Sequence, residues 1–182
     1  MKKTVITFGL ISGAVSALMM VVTIPFEDAI GFNHGLIIGY TTIVLSFLLV
    51  YFGIRSYRDN VGNGQITFAK AFGVGILITL ISCFCYVATW EILYFHVLHG
   101  FADKYSAHIV ERARLAGASA AEIQQKIQEG QKLKQTLDNP FLNSMMTFIE
   151  PFPVGLAITL ISAAILRKKT PLQTAQTPLR VA

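Results

Sequence analysis

Residues 147–169 read TFIEPFPVGLAITLISAAILRKK, and the fold turns on how this stretch is taken. A helix crossing about 30 Å of hydrocarbon needs roughly 20 residues at about 1.5 Å each. The clean apolar part, Pro153 to Leu166, covers only about 21 Å at that rise. The span must therefore reach back to Thr147, taking in Glu150, Pro151 and Pro153, before it ends at Arg167-Lys168-Lys169. The reading is a membrane-crossing helix with a basic end and an acid roughly one turn inside the other end.

Three earlier runs have the same character. Residues 4–24 follow Lys2 and Lys3, residues 34–53 stop before Arg55 and Arg58, and residues 71–90 start after Lys70 and reach Trp90. Of 182 residues, 53% are hydrophobic and 14% charged, where a soluble domain carries about 25% charged residues. The expected fold is an all-α membrane protein with four transmembrane helices, forming a single domain over residues 1–169. Ala14 and Ala17 imitate a signal-peptide cleavage site, but cutting there would strand the apolar residues that follow, so the first helix is read as retained. The net charge of +5 comes from basic residues placed beside the apolar runs. They do not form a patch interleaved with aromatics, which points to the lipid bilayer as partner and away from nucleic acid.

Those basic residues also set the threading. Lys2/Lys3, Arg55/Arg58/Lys70 and Arg167/Lys168/Lys169 share one side, while the first opposite loop, residues 26–33, holds Glu27 and Asp28 and no Lys or Arg. Positive-inside bias puts both termini in the cytoplasm and residues 99–139 outside. That outer segment is expected to be a helical hairpin. FADKYSAHIVERARLAG (101–117) ends at Gly117, a left-handed stop, and Ser119-Ala-Ala-Glu122 has capping-box spacing. Asn139-Pro140 closes the second helix. The tail, residues 170–182, reads as disordered and cytoplasmic.

Gly9, Gly13 and Ala17, and again Gly31, Gly35 and Gly39, recur every fourth residue. Such stripes let backbones approach, either within the bundle or across a homodimer. Cys83 and Cys85 are two apart on a helix and point to different sides, so no mutual disulfide is expected.

Counting inward from the lysines brings carboxylates from three helices to one leaflet: Glu27 (with Asp28 beside it), Glu91 and Glu150. Tyr94, His96 and Thr147 lie at similar heights. Ionisable groups at membrane depth are functional candidates, so these residues form a candidate cation or proton site. Carboxylates suit hard cations and histidine suits zinc-like metals, which leaves the metal, if any, unassigned. Pro151 and Pro153 bias Glu150 and Phe152 away from helical geometry and suggest a bend; a Thr147–Glu150 capping box is the competing local account. No zinc-protease spacing, nucleophile–base arrangement or phosphate loop stands out, so neither an enzyme nor a cofactor is expected.

Four segments, taken together, carry a resemblance: NGQITFAKAFGVG (63–75), YVATWEILYF (86–95), FADKYSAHIVERARLAGASAAEIQQKIQ (101–128) and NPFLNSMMTFIEPFPVGLAITLISAAILRKK (139–169). The chain resembles the bacterial four-helix membrane proteins grouped as domain-of-unknown-function family four-one-nine-nine, over about residues 4–169. Glu150-Pro151-Phe152-Pro153-Val154-Gly155 and Trp90-Glu91 match its motifs. The resemblance implies a bacterial inner-membrane protein and brings no activity. Two functions are carried forward. One is a non-enzymatic structural or partner-modulating protein with a membrane or extracytoplasmic partner. The other is a small transporter or cation/proton-binding protein using the outer carboxylates.

Overall fold

A computed structural model describes residues 1–24 and 27–168, and for residues 27–33 and 36 the backbone alone. Among the described residues the chain is helical: α1 (Lys2–Thr23), α2 (Glu27–Asn60), α3 (Phe68–His96), α4 (Phe101–Leu115), α5 (Ala120–Leu137), α6 (Pro140–Ile149) and α7 (Pro151–Leu166). Four stretches are long and apolar enough to cross a membrane: Lys2–Thr23, Ile37–Asn60, Phe68–His96 and Pro140–Leu166. The all-α, four-span architecture expected from the sequence is therefore present, with α4 and α5 inserted between the third and fourth spans. The tail beyond residue 168 lies outside the described residues.

The helices outrun their apolar cores. The opposite-side loop assigned to residues 26–33 is already α2 from Glu27. Glu27 and Asp28 occupy its first turn, where negative charge favours the exposed amides of a helix N-terminus. At the other end α2 continues through Arg55 and Arg58 to Asn60. Asn63 and Gly64 then take positive φ, 49° and 79°, and turn the chain into α3. Thr67 caps that helix by accepting a hydrogen bond from the Lys70 amide.

Helix α3 is the hub, packing against α1, α2, α6 and α7. A continuous core runs through Val5, Phe47, Val50, Ile54, Ile78 and Ala163. Within it, polar side chains bond across helices. The Ser12 hydroxyl donates to the Ser46 carbonyl and shares a hydrogen bond with Ser82, both at 2.9 Å. Thr79 and Thr159 pair at 3.0 Å. In a membrane such contacts, together with close backbone approach, take the place of the missing hydrophobic drive between helices. Gly13 shows the approach directly: a Cβ there would lie 2.6 Å from Cys85 Cβ. The α1 stripe is thus engaged with α3. The α2 stripe is different, since a Cβ at Gly35 or Gly39 would meet nothing within 4 Å; Gly31 is outside the residues whose side chains are described. At the termini end, the Lys168 amide donates to the Ile66 carbonyl at 3.0 Å, tying the end of α7 to the loop before α3.

The hairpin is built as its sequence implies. Gly117 has φ 77°, and Ser119 and Glu122 form a reciprocal capping box. Helices α4 and α5 pack on each other, drawn together where Gly130 faces Ser106 and where Lys134 meets Asp103 at 2.7 Å. Asn139 ends the hairpin and begins α6 in one residue, its side chain accepting from the Phe141 and Leu142 amides ahead of Pro140 at the first helical position.

Candidate functional site

At the hairpin's base, α3 presents one face through Tyr86, Trp90 and Tyr94, spaced four apart. Trp90 Nε1 donates to Asn143 Oδ1 at 2.9 Å, and Tyr94 donates to Asp138 Oδ1 at 2.9 Å. Asn143 has no exposed surface. Its amide nitrogen donates to the Leu137 carbonyl at 3.0 Å and its oxygen also accepts from Thr147 at 3.2 Å. One asparagine thereby ties α3, the end of α5 and α6 together. Around it Trp90, Tyr94 and Phe101 pack ring against ring, with Trp90 and Phe101 edge-to-face at 5.3 Å.

Below this joint lies a cavity of about 760 Å³. Met20 and Thr23 of α1 and Gly35, Gly39 and Tyr40 of α2 form one side; Tyr86 and Trp90 of α3 form another. Phe101, Tyr105, Leu133 and Leu137 of the hairpin contribute from a third direction, and Met146, Thr147, Glu150 and Pro153 from the fourth span. The bare backbone at Gly35 and Gly39 is what keeps the α2 side open. Most of the surface is apolar, and among the described residues Glu150 is the carboxylate on the lining.

Glu150 keeps helical dihedrals, φ −67° and ψ −59°, although a residue before proline is sterically biased against them. The helical pattern breaks for one residue only, between Ile149 and Pro151. Because Pro151 and Pro153 have no N–H, the carbonyls one turn earlier, at Thr147 and Ile149, lose their usual helical donors. No capping bond joins Thr147 to Glu150: Thr147 is turned to Asn143, and the Glu150 carboxylate accepts from the Tyr86 hydroxyl at 3.3 Å, long for an O–H···O bond.

The other candidate residues are distributed differently. Glu91 is not among the residues lining the cavity. It interacts with Ser144 of α6, and its Oε1 is buried without a hydrogen-bond partner among the described residues. Tyr94 is committed to Asp138, His96 is exposed, and the Glu27 side chain lies outside the described residues. Among the described residues no three His, Cys, Asp or Glu side chains come together as a metal cluster. Cys83 and Cys85 are free thiols, one buried and one partly so.

Sequence reasoning missed Tyr86, Asn143 and Asp138. The signal available for two of them was spacing: Tyr86–Trp90–Tyr94 and Asn143–Thr147 are each polar-tipped residues one turn apart on a single face.

A search of curated proteins and a search of solved structures each return no match. Over residues 7–168, the helices, the hairpin and the cavity-lining carboxylate included, the sequence matches the family described as Protein of unknown function (DUF4199), and the chain belongs to that family.

Proposed function

We propose that the chain is a non-enzymatic integral protein of the bacterial inner membrane, with both termini in the cytoplasm, whose outer hairpin is a contact surface for another membrane or extracytoplasmic protein. The observation that carries this reading is the way the hairpin stands. Helices α4 and α5 pack on each other and are fastened at the base through Trp90, Tyr94, Asn143 and Asp138, while Leu115 near the tip is 80% exposed. Support for the threading comes from Lys2, Lys3, Arg55, Arg58, Lys70, Arg167 and Lys168, which flank the apolar runs on one side, whereas the Lys and Arg of the hairpin are mixed with acids along its length.

Photo-crosslinkers at Leu115 and Ala118 in living cells test the contact. A discrete protein adduct that disappears with Leu115→Glu is expected; adducts only to lipid or to the chain itself would remove the reading's basis. Impermeant maleimide on Ala118→Cys in spheroplasts tests the threading, which fails if labelling requires lysis.

A second reading, a cation- or proton-binding protein or small transporter, is favoured by the placement of Glu150 on the cavity wall. Here Glu150→Gln should abolish stabilisation by protons or added cations, with insertion intact. Identical melting of wild type and variant across salts and pH would dismiss it.

A further inference from the structure

The cavity's chemistry is more selective than its size. At about 760 Å³ it falls in the range of pockets that bury drug-sized molecules, about 300–1,000 Å³. Its polar lining residues, among those described, are one carboxylate, Glu150, with the hydroxyl-bearing Thr23, Tyr40, Tyr86, Tyr105 and Thr147 and the indole of Trp90. The Glu150 carboxylate, with room for about four hydrogen bonds when ionised, has one long contact from Tyr86. Among the described residues, no Lys, Arg or His lines the space, so an anionic ligand would find a like charge and no counter-charge. A hard metal ion is ill-served, because it takes about six oxygen ligands with carboxylates prominent among them. Among the described residues Glu150 is the one carboxylate on the wall, and no three His, Cys, Asp or Glu side chains come together. A purely apolar ligand would leave the carboxylate desolvated, at a cost.

The remaining walls favour a different kind of cation. Tyr40, Tyr86, Trp90, Phe101 and Tyr105 all contribute to the lining, and aromatic faces attract large, weakly hydrated cations, quaternary ammonium above all. Apolar residues such as Met20, Leu133 and Val154 would take the hydrocarbon part. We infer that this cavity is a binding site for an organic ammonium carried on an apolar body, its charge facing Glu150 and the aromatic rings. The inference deepens the second reading above and rests on it for the cation-facing role of Glu150. The ammonium could be supplied by a lipid headgroup or by a free amphiphile.

The chain has one tryptophan, Trp90, on the cavity wall, so its emission reports occupancy. Purified full-length protein in a non-ionic maltoside detergent is titrated with dodecyltrimethylammonium, and in parallel with dodecanol. A saturable emission change with the ammonium and only a linear, non-saturating one with the alcohol is expected. Glu150→Gln should weaken the ammonium response by about tenfold or more, with melting measured alongside. Repeating the titration in nanodiscs identifies the source. Probe concentration is corrected for its partition into protein-free discs of the same lipid, since anionic lipid concentrates a cation by itself. Weaker probe binding in phosphatidylcholine or phosphatidylethanolamine than in phosphatidylglycerol discs then assigns a lipid headgroup, and equal binding assigns a free amphiphile.

A non-saturating ammonium response in wild type, or equal responses to ammonium and alcohol, overturns the inference without recourse to any variant. If sodium, potassium or protons still stabilise wild type but not Glu150→Gln, only the organic-ammonium assignment falls. If no probe gives a Glu150-dependent effect, the cation reading falls with it.

Discussion

Asn143 shows how much can depend on one polar side chain in an apolar setting. It is fully buried, accepts from Trp90 and Thr147, and donates to the Leu137 carbonyl. In leucine of similar volume none of these bonds survives, and the indole N–H, the threonine hydroxyl and the carbonyl must find other partners or go without. Unmade bonds of this kind cost about 1–3 kcal/mol each. Asn143→Leu is therefore expected to lower stability by about 2–4 kcal/mol and to shift Trp90 emission. Thermal melting in detergent with fluorescence readout checks it, and an unchanged midpoint would remove Asn143 from its structural role. Glu150 illustrates the opposite case: its backbone conforms to the helix while its carboxylate, touched by one hydroxyl at 3.3 Å, remains available.

Among the elements, the hairpin is the one whose stability is set by exposed, local chemistry. The start of α5 depends on Ser119 and Glu122. The Ser119 amide donates to Glu122 at 2.7 Å and the Ser119 hydroxyl does so at 2.8 Å. These bonds, the backbone one foremost, hold the Glu122 carboxyl below its ordinary value of 4.5. A carboxyl whose folded-state value is depressed contributes fully above the unfolded value, and that contribution is lost as pH falls through the folded one. Hydrogen-exchange protection at the Ser119, Glu122 and Ile123 amides, corrected for intrinsic rates, should thus stay level from neutral pH to about 4.5 and decline below it. Glu122→Gln should flatten this decline, and a variant with the wild-type profile would rule the capping box out as its source. This cap was readable in the sequence because both partners lie within four residues. The start of α2 at Glu27 was harder to read, since no apolar periodicity marks residues 27–33 and their acids resemble a loop.

The whole molecule is organised around α3, and the two glycine stripes separate what sequence spacing could not. Both have small residues four apart, yet Gly13 is pressed against Cys85 while Gly39 faces open space. Gly13→Ala must displace the α1–α3 contact and should cost about 1–3 kcal/mol as overpacking. Gly39→Ala gains helix propensity and should raise stability by up to about 1 kcal/mol. Melting both variants in one detergent decides the matter; similar losses would mean that the α2 stripe is packed after all. Four apolar runs were enough to give the span count, because length and hydropathy are properties of a segment alone. Pairings such as Trp90 with Asn143, Tyr86 with Glu150 and Glu91 with Ser144 join residues 53, 64 and 53 positions apart. They follow from how helices are rotated against one another, which a single sequence does not state.

The cavity takes walls from α1 and from α7, which are separated in order of synthesis by five other helices. It therefore comes into being only after α7 has been made. Until residue 143 has left the ribosome and its helix has inserted, Trp90 has no asparagine to bond and the base of the hairpin has no anchor. Any ligand held against Glu150 would accordingly distinguish a bundle with α6 and α7 in place from one stalled or truncated before them. Through the free energy of binding, it would draw late insertion intermediates toward the finished bundle.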